Sequence, residues 1–274
     1  MFSIVVPTRG RPGALVACLE SLARLDYPPD AFEVVVVDDG GACGALPELD
    51  LDVRVVRQDR SGPAAARNRG AAEARGRYLA FTDDDCTVPP DWLSRLEARL
   101  DGGGHAVGGR VVNAVPESVY SEASELLVAF LHRYHNGAAP DAARFATSNN
   151  LGLPSALFAE LGGFDSGFAL AGGEDRDLSD RLGQRQLLVY APEVVVHHHR
   201  RMGLRDFVCQ HFRYGRGAVR YHALRTGHAR LEPLRFYREL IRFPGRRPRI
   251  QALLVLSQLF TGLGYAYEKR IRRP

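Results

Sequence analysis

Three carboxylates in a row, Asp83-Asp84-Asp85, follow the apolar run Tyr78 to Thr82. Adjacent carboxylates leaving a buried strand repel one another, and a divalent cation is the usual remedy. Oxygen ligands favour Mg2+ or Mn2+ over zinc. In an extended segment side chains alternate, so Asp83 and Asp85 are expected to face the same side and to be the metal-binding pair. Asp38-Asp39 ends a run of four valines; a carboxylate there can accept hydrogen bonds from a nucleobase N–H or a ribose hydroxyl. Gly62 to Gly70 carries Arg67 and Arg69, whose guanidinium groups suit phosphate oxygens. His197-His198-His199 follows a β-branched run. Neighbours on a strand face opposite ways, so the three imidazoles do not make one zinc site, whereas His198 alone could complete a carboxylate site for Mn2+.

Such groups need a scaffold that carries them to one edge. Short apolar runs rich in Val or Ile occur at Phe2 to Pro7, Phe32 to Val37, Val53 to Val56 and Tyr78 to Thr82, and read as strands buried on both faces. Pro12 to Leu25 has apolar residues at helical spacing, and Pro63 to Arg75 is an alanine-rich helix with proline in its first turn. Alternating strands and helices imply an α/β fold with a mostly parallel central sheet, whose ligands bind at the carboxyl ends of the strands. Thr8-Arg9, Asp38-Asp39 and Asp83 to Asp85 all fall at such ends. Further along, His105 to Ala114, Leu187 to Tyr190 and Val194 to His198 read as strands. Glu117 to His132, Pro154 to Leu161 and Glu174 to Leu182 read as helices. Thr147 to Asn150 is a polar segment able to bond sugar hydroxyls.

The order Ile4-Val5-Val6-Pro7-Thr8, Val34 to Gly40, Gly62 to Gly70 and Phe81 to Asp85 resembles the family 2 glycosyltransferases of the GT-A fold. Gly162-Gly163-Phe164-Asp165, Gly173 to Leu178 and Pro192 to His199 continue the resemblance, which covers roughly residues 1–200. It implies inverting transfer of a sugar from a UDP-, GDP- or dTDP-linked donor to an acceptor hydroxyl, assisted by Mn2+ or Mg2+. Asp83, Asp84 and Asp85 match the Asp-x-Asp motif that binds metal and diphosphate. Pro7, Thr8, Arg9 and Asp39 match the nucleoside pocket, and Asp175 the catalytic base, with Glu174 as the rival base. His198 resembles the family's metal-ligating or diphosphate-contacting histidine. Cys86 departs from the pattern, since another acidic residue often follows the motif.

With 274 residues, 45% hydrophobic and 25% charged, the chain has an ordinary globular composition. Four cysteines without a Cys-x-x-Cys pair argue against a disulfide framework or zinc knot. The first residues run straight into a strand without a secretory pattern, so a cytoplasmic setting is expected. The only lysine is Lys269, which excludes a P-loop, and no Gly-x-Gly-x-x-Gly turn follows the first strand, which disfavours dinucleotide oxidoreductases. A nucleotidyltransferase and a non-catalytic binding module remain as alternatives, and no nucleic-acid motif is present.

Charge divides the chain. Residues 200–274 hold 18 basic and four acidic residues against a net +4 for the whole. The expected organisation is a catalytic domain at 1–200, with a nucleotide-binding half at 1–110 and an acceptor half at 111–200, followed by a basic helical extension at 201–274. Ile250 to Tyr267 is free of charge and places Leu253, Leu256, Phe260, Leu263 and Tyr267 on one helical stripe. Arg246, Arg247 and Arg249 precede it, and Lys269 to Arg273 follow. This pattern suits peripheral attachment to the cytoplasmic face of an anionic membrane better than a span.

Overall fold

Every residue of β1 (Phe2–Thr8) and β2 (Phe32–Asp39) is buried, which is why Ile4 to Val6 and Val34 to Val37 are consecutive apolar residues rather than alternating ones. The computed structural model describes the chain except residues 42, 102, 169–171, 226–231 and 272–274. Arg272 and Arg273 of the expected basic tail therefore lie outside the described residues. Helix α1 (Pro12–Leu22) joins β1 to β2, and α2 (Pro63–Glu73) joins β3 (Val53–Gln58) to β4 (Tyr78–Phe81). Together β3, β2, β1 and β4 form a parallel half-sheet.

The second half is mixed. Strand β7 (Leu151–Pro154) lies antiparallel between β4 and β6 (Ala106–Asn113), β6 runs parallel to β8 (Leu188–His198), and β5 (Cys86–Thr87) pairs antiparallel with β8. The full order is β3-β2-β1-β4-β7-β6-β8-β5. Two antiparallel steps restore direction, so the carboxyl end of β8 emerges at the same sheet edge as those of β1, β2 and β4. The amino end of β7, preceded by 147–150, arrives there too.

Alternate residues of the buried strands feed two core layers. Ile4, Val6, Val34 and Val36 pack on Leu15, Leu19 and Leu22 of α1 and on Trp92, Leu93 and Leu96 of α3 (Trp92–Leu100). Val5, Leu79 and Phe81 face Leu157 and Phe158 of α5 (Ser155–Glu160) and Leu178 and Leu182 of α6 (Glu174–Gln184). Burying each such side chain contributes about 1.5–3 kcal/mol. A third cluster joins α4 (Val119–Asn136) to the C-terminal helices α7 (Leu204–Arg225), α8 (Leu234–Arg242) and α9 (Pro248–Ile271), through Leu127, Phe130, Phe207, Phe236, Leu240 and Leu254.

Three elements differ from expectation. The Leu-Gly-Leu-Pro of β7 is too short to show a period, and α3, not expected from the sequence, buries Trp92, Leu93, Leu96 and Leu100 at helical spacing. The two strands expected at 187–190 and 194–198 are one strand, with a register irregularity opposite Gly109 and Arg110.

Helix α9 is held by backbone contact. A Cβ on Gly215 of α7 would overlap the carbonyl oxygen of Thr261, and one on Gly264 of α9 would overlap that of Phe212. The outward face of α9 carries Val255, Leu259, Leu263, Tyr267 and Ile271, spaced every four residues and about half exposed. The stripe expected from the sequence therefore splits: Leu263 and Tyr267 face out, while Leu253 and Leu256 pack against the α4–α8 cluster. By length and apolar composition this helix could cross a membrane.

Candidate functional site

A cavity of about 960 Å3 opens along the carboxyl edge of the sheet, lined by Pro7, Thr8, Arg9, Asp39, Arg67, Asp83, Asp85, Glu174, Asp175 and His198. Of the donor, metal and base residues expected from the sequence, Asp84 is the one that does not line it, and the phosphate candidate Arg69 is also absent from its wall. Its volume is at the top of the range for small-molecule sites.

The triplet divides. Asp83 turns to Arg67, whose Nη2 lies 2.6 Å from its Oδ1. Asp85 forms an ion pair with Arg11 and lies 3.4 Å from His198 Nε2. Asp84 does not reach the cavity: it is fully buried, accepts the Thr8 hydroxyl at 2.7 Å and pairs with Arg11. It therefore positions Thr8 and Arg11 rather than contacting a donor directly, a correction consistent with alternation, since Asp83 and Asp85 face the cavity and the residue between them faces away. Burial raises the Asp84 carboxyl to about 6, with the Arg11 charge opposing it. Burial would raise Asp85 as well, but the His198 hydrogen bond and charge, with Arg11, hold it well below the usual carboxylate range.

His198 arrives through strand pairing, because β5 sets Cys86 opposite His198 directly after Asp85. Its Nδ1 lies 2.6 Å from Glu125 Oε1 on α4. Burial opposes its protonation, but the bonds to Asp85 and Glu125 outweigh that and raise it to about 10. Held through Nδ1, the ring turns Nε2 to Asp85, the orientation that a metal-ligating histidine takes with an outer carboxylate. Asp85, Cys86 and His198 offer ligand atoms within 4.8 Å of one another. Burial pushes the Cys86 thiol well up, and a soft sulfur suits Mn2+ or Mg2+ poorly. The fitting donors are therefore the carboxylate and the imidazole, which would release its added proton on binding a cation. One oxygen and one nitrogen suit Mn2+ or Mg2+ with the remaining ligands drawn from diphosphate and water.

Glu174 and Asp175 open α6. Gly172 and Gly173 precede them with φ of +136° and +103°, a conformation that favours glycine. Gly217 of α7 backs this loop, since a Cβ there would overlap the Gly172 carbonyl oxygen. Glu174 Oε2 accepts the Gly172 N–H at 2.6 Å. Burial, then the Asp175 charge, raises Glu174 to about 7 against the pull of Arg67. Asp175 is raised by burial, opposed by Arg67 and by hydrogen bonds from Ser148. Its Oδ1 is buried without a hydrogen-bond partner, a carboxylate oxygen free to accept a proton from a ligand.

Asp39 accepts from Gln58 Nε2 and from the Ser61 and Gly62 amides at 2.7–2.9 Å, so it fixes the loop entering α2 at the cavity wall. Arg67 is buried, while Arg69 pairs with Glu73 on the exposed face of α2 and does not reach the cavity. Asn150 is also structural, bonding Trp92 Nε1 and the Arg110 and Val194 carbonyls. Asn68 ties the 62–70 segment to 162–165 by two bonds with the Phe164 backbone.

Sequence reasoning missed Arg11 and Glu125. Arg11 was signalled by Arg9-Gly10-Arg11 just past β1, and Glu125 by a charge inside the apolar stripe of α4.

Residues 3–161 match the family described as Glycosyl transferase family 2. A pre-mycofactocin glycosyltransferase of Mycobacterium tuberculosis is 31% identical over 235 residues, covering 79% of this chain and 46% of the relative. A validoxylamine A glucosyltransferase of Streptomyces hygroscopicus subsp. limoneus is 30% identical over 215 residues, covering 66% of this chain and 48% of the relative. The chain thus spans about half the length of these curated relatives. Among solved structures, the mannosyltransferase PcManGT of Pyrobaculum calidifontis, in complex with GDP-Man and Mn2+, has a TM-score of 0.63 at 20% identity, covering 98% of this chain and 78% of that one. TarS 1-349 of S. aureus in complex with UDP-GlcNAc has a TM-score of 0.55 at 17% identity, covering 99% and 91%. These likenesses bear on the fold, which is the GT-A-like α/β architecture with a helical C-terminal region expected from the sequence.

Proposed function

Because the chain belongs to glycosyl transferase family 2, we propose that it moves a sugar, with inversion, from a nucleoside diphosphate donor to an acceptor hydroxyl. The observation that carries this reading is the free Oδ1 of Asp175, buried in the same cavity as Asp83, Asp85 and His198. The acceptor oxygen attacks the anomeric carbon and gives its proton to Asp175. The bond from that carbon to the diphosphate oxygen breaks, and its electron pair leaves with the nucleoside diphosphate. A carboxylate within about 3 Å of the attacking oxygen is suited to this role.

Asp85 and His198 would hold a Mn2+ or Mg2+, which supplies charge neutralisation at the leaving diphosphate. Asp83, expected from the sequence as a further metal ligand, is paired with Arg67 in this structure. Arg67 and Arg11 add fixed positive charge near it. Pro7, Thr8, Arg9 and Asp39 wall the nucleoside end, and Asp83 holds Arg67 in position. UDP-, GDP- and dTDP-linked donors are all compatible with this wall.

A thermal-shift panel of UDP, GDP, dTDP and CDP, each with Mn2+, Mg2+ or EDTA, tests the donor site, because a ligand of the native state raises stability by mass action. A metal-dependent shift with one nucleotide is expected; no shift from well-folded protein would overturn the reading.

The exposed stripe of α9 and the exposed Arg246, Arg247, Arg249 and Arg270 around it support peripheral attachment to an anionic membrane at the cytoplasmic face. Failure to sediment with anionic vesicles would sink that part alone.

A further inference from the structure

The cavity extends beyond the sheet edge between α4, α8 and α9, where its wall includes Leu127, Val128, Leu131, Phe236, Tyr237 and Tyr265, with the polar Gln258 and Thr261 on the α9 side. Helix α4 gives the direction of this limb. Glu125, bonded to His198, marks the polar end. Leu131 lies six residues later, about 9 Å further along the helix. Phe236 packs edge-on against Phe130 and Tyr134, so α8 lies against the far half of α4. On α9, Gly262 lines the cavity and is also exposed. Its neighbours Leu259 and Leu263 belong to the outward apolar stripe, so the cavity reaches the surface beside that stripe.

We propose that this limb holds the apolar part of an amphiphilic acceptor, whose hydroxyl then lies at Asp175. The inference rests on the glycosyl-transfer reading and names the acceptor class for that same site. A nucleotide-sugar offers the limb little, because its groups are polar or charged and the aliphatic side chains of Leu127, Val128 and Leu131 supply no hydrogen bonds. An alkyl or polyprenyl chain matches both the wall and its exit beside the exposed stripe. Its hydroxyl or sugar head group faces the carboxylates.

The test is equilibrium binding of methyl, hexyl and octyl β-D-glucoside to the full chain by isothermal titration, below their micelle concentrations. Each methylene buried in the limb should tighten binding about fourfold, from roughly 0.8 kcal/mol apiece. Leu131→Trp, which fills the limb, should flatten that dependence. The nucleotide-and-metal thermal shift, measured in parallel, reports folding and the donor site. Equal affinity for methyl and octyl glucoside, with the nucleotide shift present, overturns the acceptor class and leaves the transfer reading standing. A folded Leu131→Trp protein that keeps the full chain-length dependence also overturns it. Chain-length dependence without any nucleotide shift overturns the transfer reading and, with it, the assignment of the limb to an acceptor.

Discussion

The Nδ1 of His198 lies 2.6 Å from Oε1 of Glu125, so the imidazole at the sheet edge is aimed by a helix and not by its own strand. Glu125→Gln keeps a hydrogen-bonding side chain of the same shape and removes its charge. Loss of such an outer carboxylate typically weakens metal binding 10–100-fold. The expected result is that loss in Mn2+ affinity, read by electron paramagnetic resonance, with little change in melting temperature. Unchanged affinity would mean that His198 is not a ligand.

Asp175→Asn should lower the rate of transfer by about 10²–10⁴, the usual contribution of a positioned base, while the nucleotide thermal shift persists. Glu174→Gln should lower it less, because the Glu174 carboxylate is occupied by the Gly172 amide. The reverse order in rate measurements would make Glu174 the base.

Burial raises both carboxyls at the start of α6, and a base works only when deprotonated. The kcat/KM profile should therefore climb with pH through a limb above the ordinary carboxylate values of about 3.9–4.3. Arg67 lowers both carboxyls, so Arg67→Gln should move the limb to higher pH. A limb near pH 4 in both proteins would contradict this.

Acid stability should be governed partly by two histidines kept neutral by burial, His132 lowered to about 3 and His211 to about 4. Their folded values lie below the unfolded value of about 6.5, so the unfolded chain binds more protons once the pH falls below that point. Their contribution is whole above about pH 6.5 and is lost progressively toward pH 3–4, at up to about 1.4 kcal/mol per pH unit for each. His132 stacks on Tyr190 and packs against Phe145 with neither ring nitrogen hydrogen-bonded. His132→Phe should therefore shrink the drop in melting temperature between pH 7.5 and 5. An unchanged drop would assign acid sensitivity to other groups.

The strands and two helices of the first half were legible in the sequence because β1, β2 and β4, buried on both faces, carry consecutive apolar residues. The expected two-sided burial of β3 is corrected: as the edge strand it leaves Val55 and Arg57 exposed. The positions of Asp39, Asp85, Asp175 and His198 around one cavity follow from strand ends and from a glycine-preceded helix start. Other features depend on distance. Asp84 is the same residue type as its neighbours, and only its contacts show that it serves Thr8 and Arg11 instead of the cavity. Glu125 reads as one charge on a helix until β8 brings His198 to it. Which leucines of α9 face outward depends on α4 and α7, which the helical period alone does not locate.

Gly215 and Gly217 are two residues apart, so they point about 200° apart around α7. One meets the backbone of α9 and the other the backbone of the Gly172 loop. A single bare helix, with no side-chain cushion on either contact, therefore separates the C-terminal helix from the loop carrying Glu174 and Asp175. The consequence concerns separability: trimming the chain after residue 200 would remove the brace behind that loop as well as a basic tail. A shortened protein is expected to lose order at 172–175 first, however well its nucleotide-binding half survives.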